Sequence, residues 1–160
     1  MKSVLKIMDK IFEVLTITSI ISMISVVLIQ VLARFLLPKA PSWTEEIARF
    51  FFVTGVAFGS PLAMKYKEFV RVDVIINKLS GKIAIIVEMI SNIVISIFIF
   101  IVAFYAIDFV ELGSIQRAST INVPMSLPFA SILVALIFIG IYSVLNLVND
   151  FQKLKKGDIR

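Results

Sequence analysis

Pro41-Ser42-Trp43-Thr44-Glu45-Glu46-Ile47-Ala48-Arg49 runs straight into an apolar stretch, Phe50 to Met64. That stretch holds 15 residues without a charge. As a helix rising 1.5 Å per residue it reaches about 22 Å, short of the roughly 30 Å of hydrocarbon in a bilayer. A spanning helix at this place must therefore recruit the charged turn in front of it. Charges at a membrane edge are costly and call for partners. What Glu45, Glu46 and Arg49 pair with becomes the question on which the reading of the chain depends.

The composition sets the frame. Of 160 residues, 59% are hydrophobic and 17% charged, and the mean hydropathy is +1.02. Soluble domains are about half apolar and a quarter charged, so this is a membrane protein by composition. Its length leaves no room for a separate large soluble domain, and residues 1–160 read as one membrane domain. The chain has neither Cys nor His. That removes disulfides, thiolate chemistry and most zinc, haem and iron–sulfur ligation, together with the commonest general acid–base residue. No cofactor and no metal site is expected. The net charge of +5 does not suggest nucleic acid, because no basic stretch is interleaved with stacking aromatics in an aqueous segment. In a membrane chain, Lys and Arg gather in cytoplasmic loops.

Four spans follow from the apolar runs, over about 11–34, 43–64, 84–108 and 128–150. The first contains Val14 to Ala33, 20 uncharged residues that are too long for a signal-peptide core and that end at a poor cleavage site. Pro38 and Pro41 stop it and turn the chain. Ser42 is placed to cap the second helix, with Glu45 closing a capping box. Pro61 is expected to kink or end that helix. Gly55, Gly59 and Ala63 form a stripe of small residues that permits close approach of another helix. Lys65 to Lys82 reads as a basic connection. Within it Val72, Ile75, Ile76 and Leu79 fall at helical spacing, so an interfacial amphipathic helix and an extended loop both fit. Met89 to Ile107 gives 19 uncharged residues for the third span, with Glu88 at its start and Asp108 and Glu111 at its end. The fold class is thus an all-α integral membrane protein with four transmembrane helices.

Orientation follows from the basic residues. Twelve Lys and Arg lie in the N-terminus, the second connection and the tail, against four on the other side. This bias predicts both termini in the cytoplasm, with the turn at 42–49 outside.

Few residues offer chemistry. Glu45 and Arg49 are four apart on a helix and Glu46 and Arg49 three apart, so both pairs can meet. One reading is a self-satisfied capping cluster with Trp43 as a belt aromatic. A second is a polar docking site for another chain or for Arg34, and a third, an ion pathway, is disfavoured because a lone cluster near one surface is not a relay across the membrane. Adjacent carboxylates point about 100° apart on a helix and do not flank one bond for acid–base work. Arg71 and Asp73 share a face if their stretch is extended. Glu88 reads as a snorkelling or paired edge residue, and Ser91, Asn92, Ser96 and Asn146 as glue between helices. No span carries an ionisable residue near its centre, and no catalytic residue is identified.

Together, several segments resemble one family. Arg34 is followed by Pro-Ser-Trp-Thr-Glu-Glu-Ile-Ala-Arg at 41–49, then by Phe-Val-Arg-Val-Asp-Val at 69–74, and Val-Pro-Met-Ser-Leu-Pro at 123–128 opens the fourth span. The order and the topology resemble the small membrane (DctQ-like) subunit of tripartite ATP-independent periplasmic (TRAP) transporters. The family often has His where Phe69 stands, so no role of that His carries over. The resemblance implies a non-catalytic small permease subunit in the bacterial inner membrane. Its partners would be a large membrane subunit, a periplasmic substrate-binding protein and the lipid bilayer. The system would import organic acids of the C4-dicarboxylate or sialic-acid type by sodium symport. The substrate and sodium sites would lie in the large subunit. The rival reading is a self-contained homodimeric four-helix exporter. That would need an acid embedded in the first span, whereas Glu13 lies at its end.

Overall fold

In lipid, a backbone polar group without a partner is costly, so long apolar runs fold as helices that satisfy their own backbone. The computed structural model describes residues 2–37, 41–68 and 81–156. They form four helices: α1 (Lys2–Leu36), α2 (Trp43–Lys65), α3 (Gly81–Ile115) and α4 (Ser126–Lys156). All four are long and apolar enough to cross a membrane. The amphipathic segment expected over 72–79, and the residues Arg71 and Asp73, lie outside the described residues.

The helices run past the apolar segments. α1, α3 and α4 contain 35, 35 and 31 residues, about 52, 52 and 46 Å. α2 contains 23, about 34 Å, and does start at the charged turn as its length deficit requires. Pro61 does not end α2, which continues to Lys65.

The packing order is α1 on α2, α2 on α4 and α4 on α3. This is an open row with α1 and α3 as its flanks. Lipid tails are as apolar as the side chains, so helix contact here relies on close fit. Glycines provide it at two interfaces. A Cβ at Gly55 would stand 3.0 Å from Ile20 Cδ1 and 3.3 Å from Ser19 Cβ, and one at Gly59 3.3 Å from Thr16 Cγ2. Gly55 and Gly59 thus lie on the face against α1. Gly140 lets the Phe100 ring of α3 lie against α4 in the same way. Phe12 is buried between the stacked Phe58 ring and the edge of Phe138, and so brings α1 to both α2 and α4. Met64, Ile139 and Tyr142 form the buried centre, with Ile95, Ile99 and Phe138 around them.

Several hydroxyls within the spans are served locally. Ser25, Thr54, Ser60 and Ser131 each donate to a carbonyl one turn back, at 2.7 to 3.1 Å. Charged residues therefore concentrate at two levels. One holds both termini; the other holds the start of α2 and the α3–α4 loop.

Candidate functional site

At the loop level, the first turn of α2 departs from the expected capping box. Ser42 is already helical, with φ −69° and ψ −23°, and its side chain makes no capping bond. A capping side chain needs an extended backbone to reach inward, which Ser42 lacks. Thr44, fully buried, turns back instead and donates to the Pro41 carbonyl at 2.7 Å. Glu45 pairs with Arg49 at 3.1 Å, both side chains exposed. Such a pair is screened and contributes little to stability.

Glu46 does not join Arg49. Its carboxylate accepts from Ser119 Oγ at 2.6 Å and from the backbone N–H of Thr120 and Ile121 at 2.9 and 3.1 Å. The loop so held is a short hairpin. Ala118 N–H donates to Val123 O and Met125 N–H to Gln116 O, both at 2.9 Å, and Arg117 bridges to Asn122. Asn122 takes the left-handed φ of 52° that the reversal requires, a conformation Asn tolerates better than most residues. Below the hairpin, Gly113 lets α3 meet the start of α4. A Cβ there would stand 2.5 Å from Phe129 Cδ2 and 2.9 Å from Ser126 N. Trp43 is half-exposed beside this level, and Arg34 is exposed at the end of α1 with no bond to the cluster among the described residues.

The termini level carries a denser network. α2 ends in a left-handed turn with Lys67 at φ 60°. Glu68 N–H donates to Ala63 O at 2.8 Å and Lys67 N–H to Met64 O at 3.2 Å, the paired bonds of a Schellman cap. Asn146 of α4 donates its Nδ2 to the same Met64 carbonyl at 2.9 Å, which thus accepts from two donors. From this turn two lysines reach in different directions. Lys65 pairs with Asp9 of α1, whose other oxygen accepts from the Tyr142 hydroxyl of α4. Lys67 pairs with Glu88 of α3 at 2.7 Å and with Asp150 of α4 at 2.8 Å. Asn92 donates to the same Asp150 at 3.1 Å. Deeper along the α3–α4 seam, Ser143 donates to Asn92 O at 3.0 Å and meets Ser96 at 2.8 Å. One turn at the end of α2 thereby binds the other three helices. Cations at a helix C-terminus also suit its dipole.

Lys65 and Lys67 are thus more than residues of a basic connection. They are helix-end counterions for carboxylates on three helices. Glu88 is paired as expected, and Asn92, Ser96 and Asn146 do join helices, whereas Ser91 is exposed. Sequence reasoning passed over Asp9, Tyr142, Ser143 and Asp150. A signal existed: Ser143, Asn146 and Asp150 fall at spacings of three and four along an otherwise apolar helix. Among the described residues no group of acidic side chains is arranged to hold a metal ion. Every carboxylate of the network is met by a lysine or a neutral donor, so the arrangement suits joining helices.

The family model described as "Tripartite ATP-independent periplasmic transporters, DctQ component" matches residues 23–153. The chain is also 25% identical, over 148 residues, to a Haemophilus influenzae protein named as a TRAP transporter small permease protein. That similarity covers 92% of this chain and 90% of the relative. The four spanning helices and the match over most of the chain agree: this multi-pass membrane protein belongs to the DctQ component family of tripartite ATP-independent periplasmic transporters.

Proposed function

We propose that the chain is the non-catalytic small subunit of a sodium-coupled importer of organic acids of the C4-dicarboxylate or sialic-acid type. It braces a large membrane subunit that holds the substrate and sodium sites. The observation that carries this reading is the charge-free middle of every helix combined with an open row. Between Val14 and Ala33, Phe50 and Met64, and Met89 and Ile107 there is no Asp, Glu, Lys or Arg, and α4 has none before Asp150. A carrier of anions or sodium needs such groups or an enclosed path at mid-depth. The exposed flanks of α1 and α3 are lined by Ile, Val, Leu and Phe and offer long surfaces for another membrane protein.

The basic termini level faces the cytoplasm in this reading, in the bacterial inner membrane. The hairpin at 116–125, with Glu45 and Arg49 beside it, then faces the periplasm, where a substrate-binding protein docks. The experiment is purification in a mild detergent with mass spectrometry of what accompanies the chain, followed by reconstitution. The expected result is co-purification of a large multi-helix subunit, and sodium-driven uptake only when both subunits and the binding protein are present. Uptake by this chain alone would overturn the proposal.

A further inference from the structure

We infer that the outward face of α4 seats an anionic phospholipid, with an acyl chain along an apolar stripe and the phosphate at Gln152 and Lys155. The inference needs neither the transport reading nor an assignment of the side on which the termini lie.

The stripe is the first observation. Ile137, Ile141, Val144, Val148 and Phe151 follow one another at steps of four, three, four and three, and all five are exposed. That spacing keeps them on one face of the helix. Ile139, Tyr142, Ser143, Asn146 and Asp150 are buried on the other face, so the stripe points away from the bundle. It holds no Gly or Ala, the residues that let a further helix approach closely, and its branched and aromatic side chains suit acyl chains instead.

The second observation is what ends the stripe. The same rhythm next reaches Lys155, four residues past Phe151, with Gln152 four past Val148, and both are exposed. From Pro128 to Phe151 the helix rises about 35 Å, a little more than the roughly 30 Å of hydrocarbon, so these two residues stand at the depth of the phosphates. A lysine there lays its stem along apolar surface and keeps its ammonium at the headgroups.

Charge decides which headgroup fits. Residues 151–156 include three Lys and no acid. The neighbouring acid, Asp150, is turned inward, its side chain 2% exposed, and it takes Lys67 at 2.8 Å and Asn92 at 3.1 Å. Lys153 comes only to 3.9 Å from it. Lys155 joins none of the ion pairs among the described residues. The outward side of this turn is thus cationic, and a lysine so placed favours an anionic headgroup over a zwitterionic one.

The test uses the full-length chain in phospholipid nanodiscs, with Phe151→Trp as a reporter in a Trp43→Phe background. Its fluorescence is quenched with phosphatidylglycerol or with phosphatidylcholine, each brominated on the acyl chains, which gives the relative affinity of the two lipids at this face. Phosphatidylglycerol is expected to be favoured about fivefold or more, and Lys155→Gln to lower that ratio by about fivefold. Lys155→Arg should keep it, and salt at about 1 M should remove most of it. Equal quenching by the two lipids in the reporter chain overturns the inference. A preference that Lys155→Gln leaves unchanged overturns it too. Quenching by neither lipid means that a second copy of this chain covers the stripe, and is equally fatal to it.

Discussion

Glu46 and Arg49 stand three residues apart with opposite charges, yet the structure gives them different work. Glu46 holds three donors of the α3–α4 hairpin, while Arg49 meets only the exposed Glu45 among the described residues. Glu46→Gln removes the charge that strengthens those bonds and one of the two accepting oxygens. Hydrogen exchange at the Thr120 and Ile121 amides should quicken in this variant with helix content unchanged; unaltered exchange would remove the clamp from the account. Arg49→Ala leaves every long-range contact of the described residues in place. It is expected to weaken assembly with the large subunit, or uptake, while the binding protein keeps its substrate affinity. Normal assembly together with normal uptake would count against a docking role for Arg49. Gly113 makes a sharper case. An added Cβ meets not only the Phe129 ring but the Ser126 nitrogen at 2.9 Å and the Met125 carbonyl carbon at 3.0 Å. Backbone cannot swing aside as a side-chain tip can, so Gly113→Ala should cost about 1–3 kcal/mol, read as a lower unfolding midpoint.

Small residues let two helices close up at Gly55, Gly59 and Gly140, while the outward faces carry mostly branched and aromatic residues. Gly55 illustrates the tolerance. The nearest atom to its missing Cβ is the tip of Ile20, which can rotate, but Ser19 Cβ at 3.3 Å is fixed to its backbone, so Gly55→Ala should cost a little and less than Gly113→Ala. Gly55→Leu has to push α1 off α2 and should cut the yield of folded protein in mild detergent; equal yields from both variants would deny the stripe its packing role. The number of helices was legible in the apolar runs, because nothing but a helix can hide 15 to 20 successive backbone amides in lipid. The ends were not. Residues such as Asp9 and Asp150 look like stop signals to a hydropathy count, but once paired they let the helix continue through the interface. The same blindness hid the termini network. Lys65 and Asp9 are 56 residues apart and Lys67 and Asp150 are 83 apart, so nothing local marks them as partners. Lys67 in particular looked like one more basic residue in a basic connection. The Glu45–Arg49 pair was legible because its spacing is that of a helix turn; the choice of Glu46 for the distant hairpin was not.

For the whole molecule, the two charged levels act as a ruler. From Asp9 to the end of α1 and from Glu88 to the end of α3 are 27 residues each, about 40 Å, close to the full thickness of a bilayer with its headgroups. On the other side of that level, α1, α3 and α4 project by about 10 Å. The absence of native cysteine makes orientation easy to test. Single variants Lys155→Cys and Ser119→Cys should react with a membrane-impermeant maleimide from opposite sides, the first only from the cytoplasm. Labelling of both from one side would discard the topology. The open row has one more consequence, and it concerns bioenergetics. Four helices packed in a row carry no Asp, Glu, Lys or Arg in their middle among the described residues. Cells making this chain without its partners should therefore stay sealed: proton-motive force, sodium gradient and growth in high salt should match those of cells lacking it.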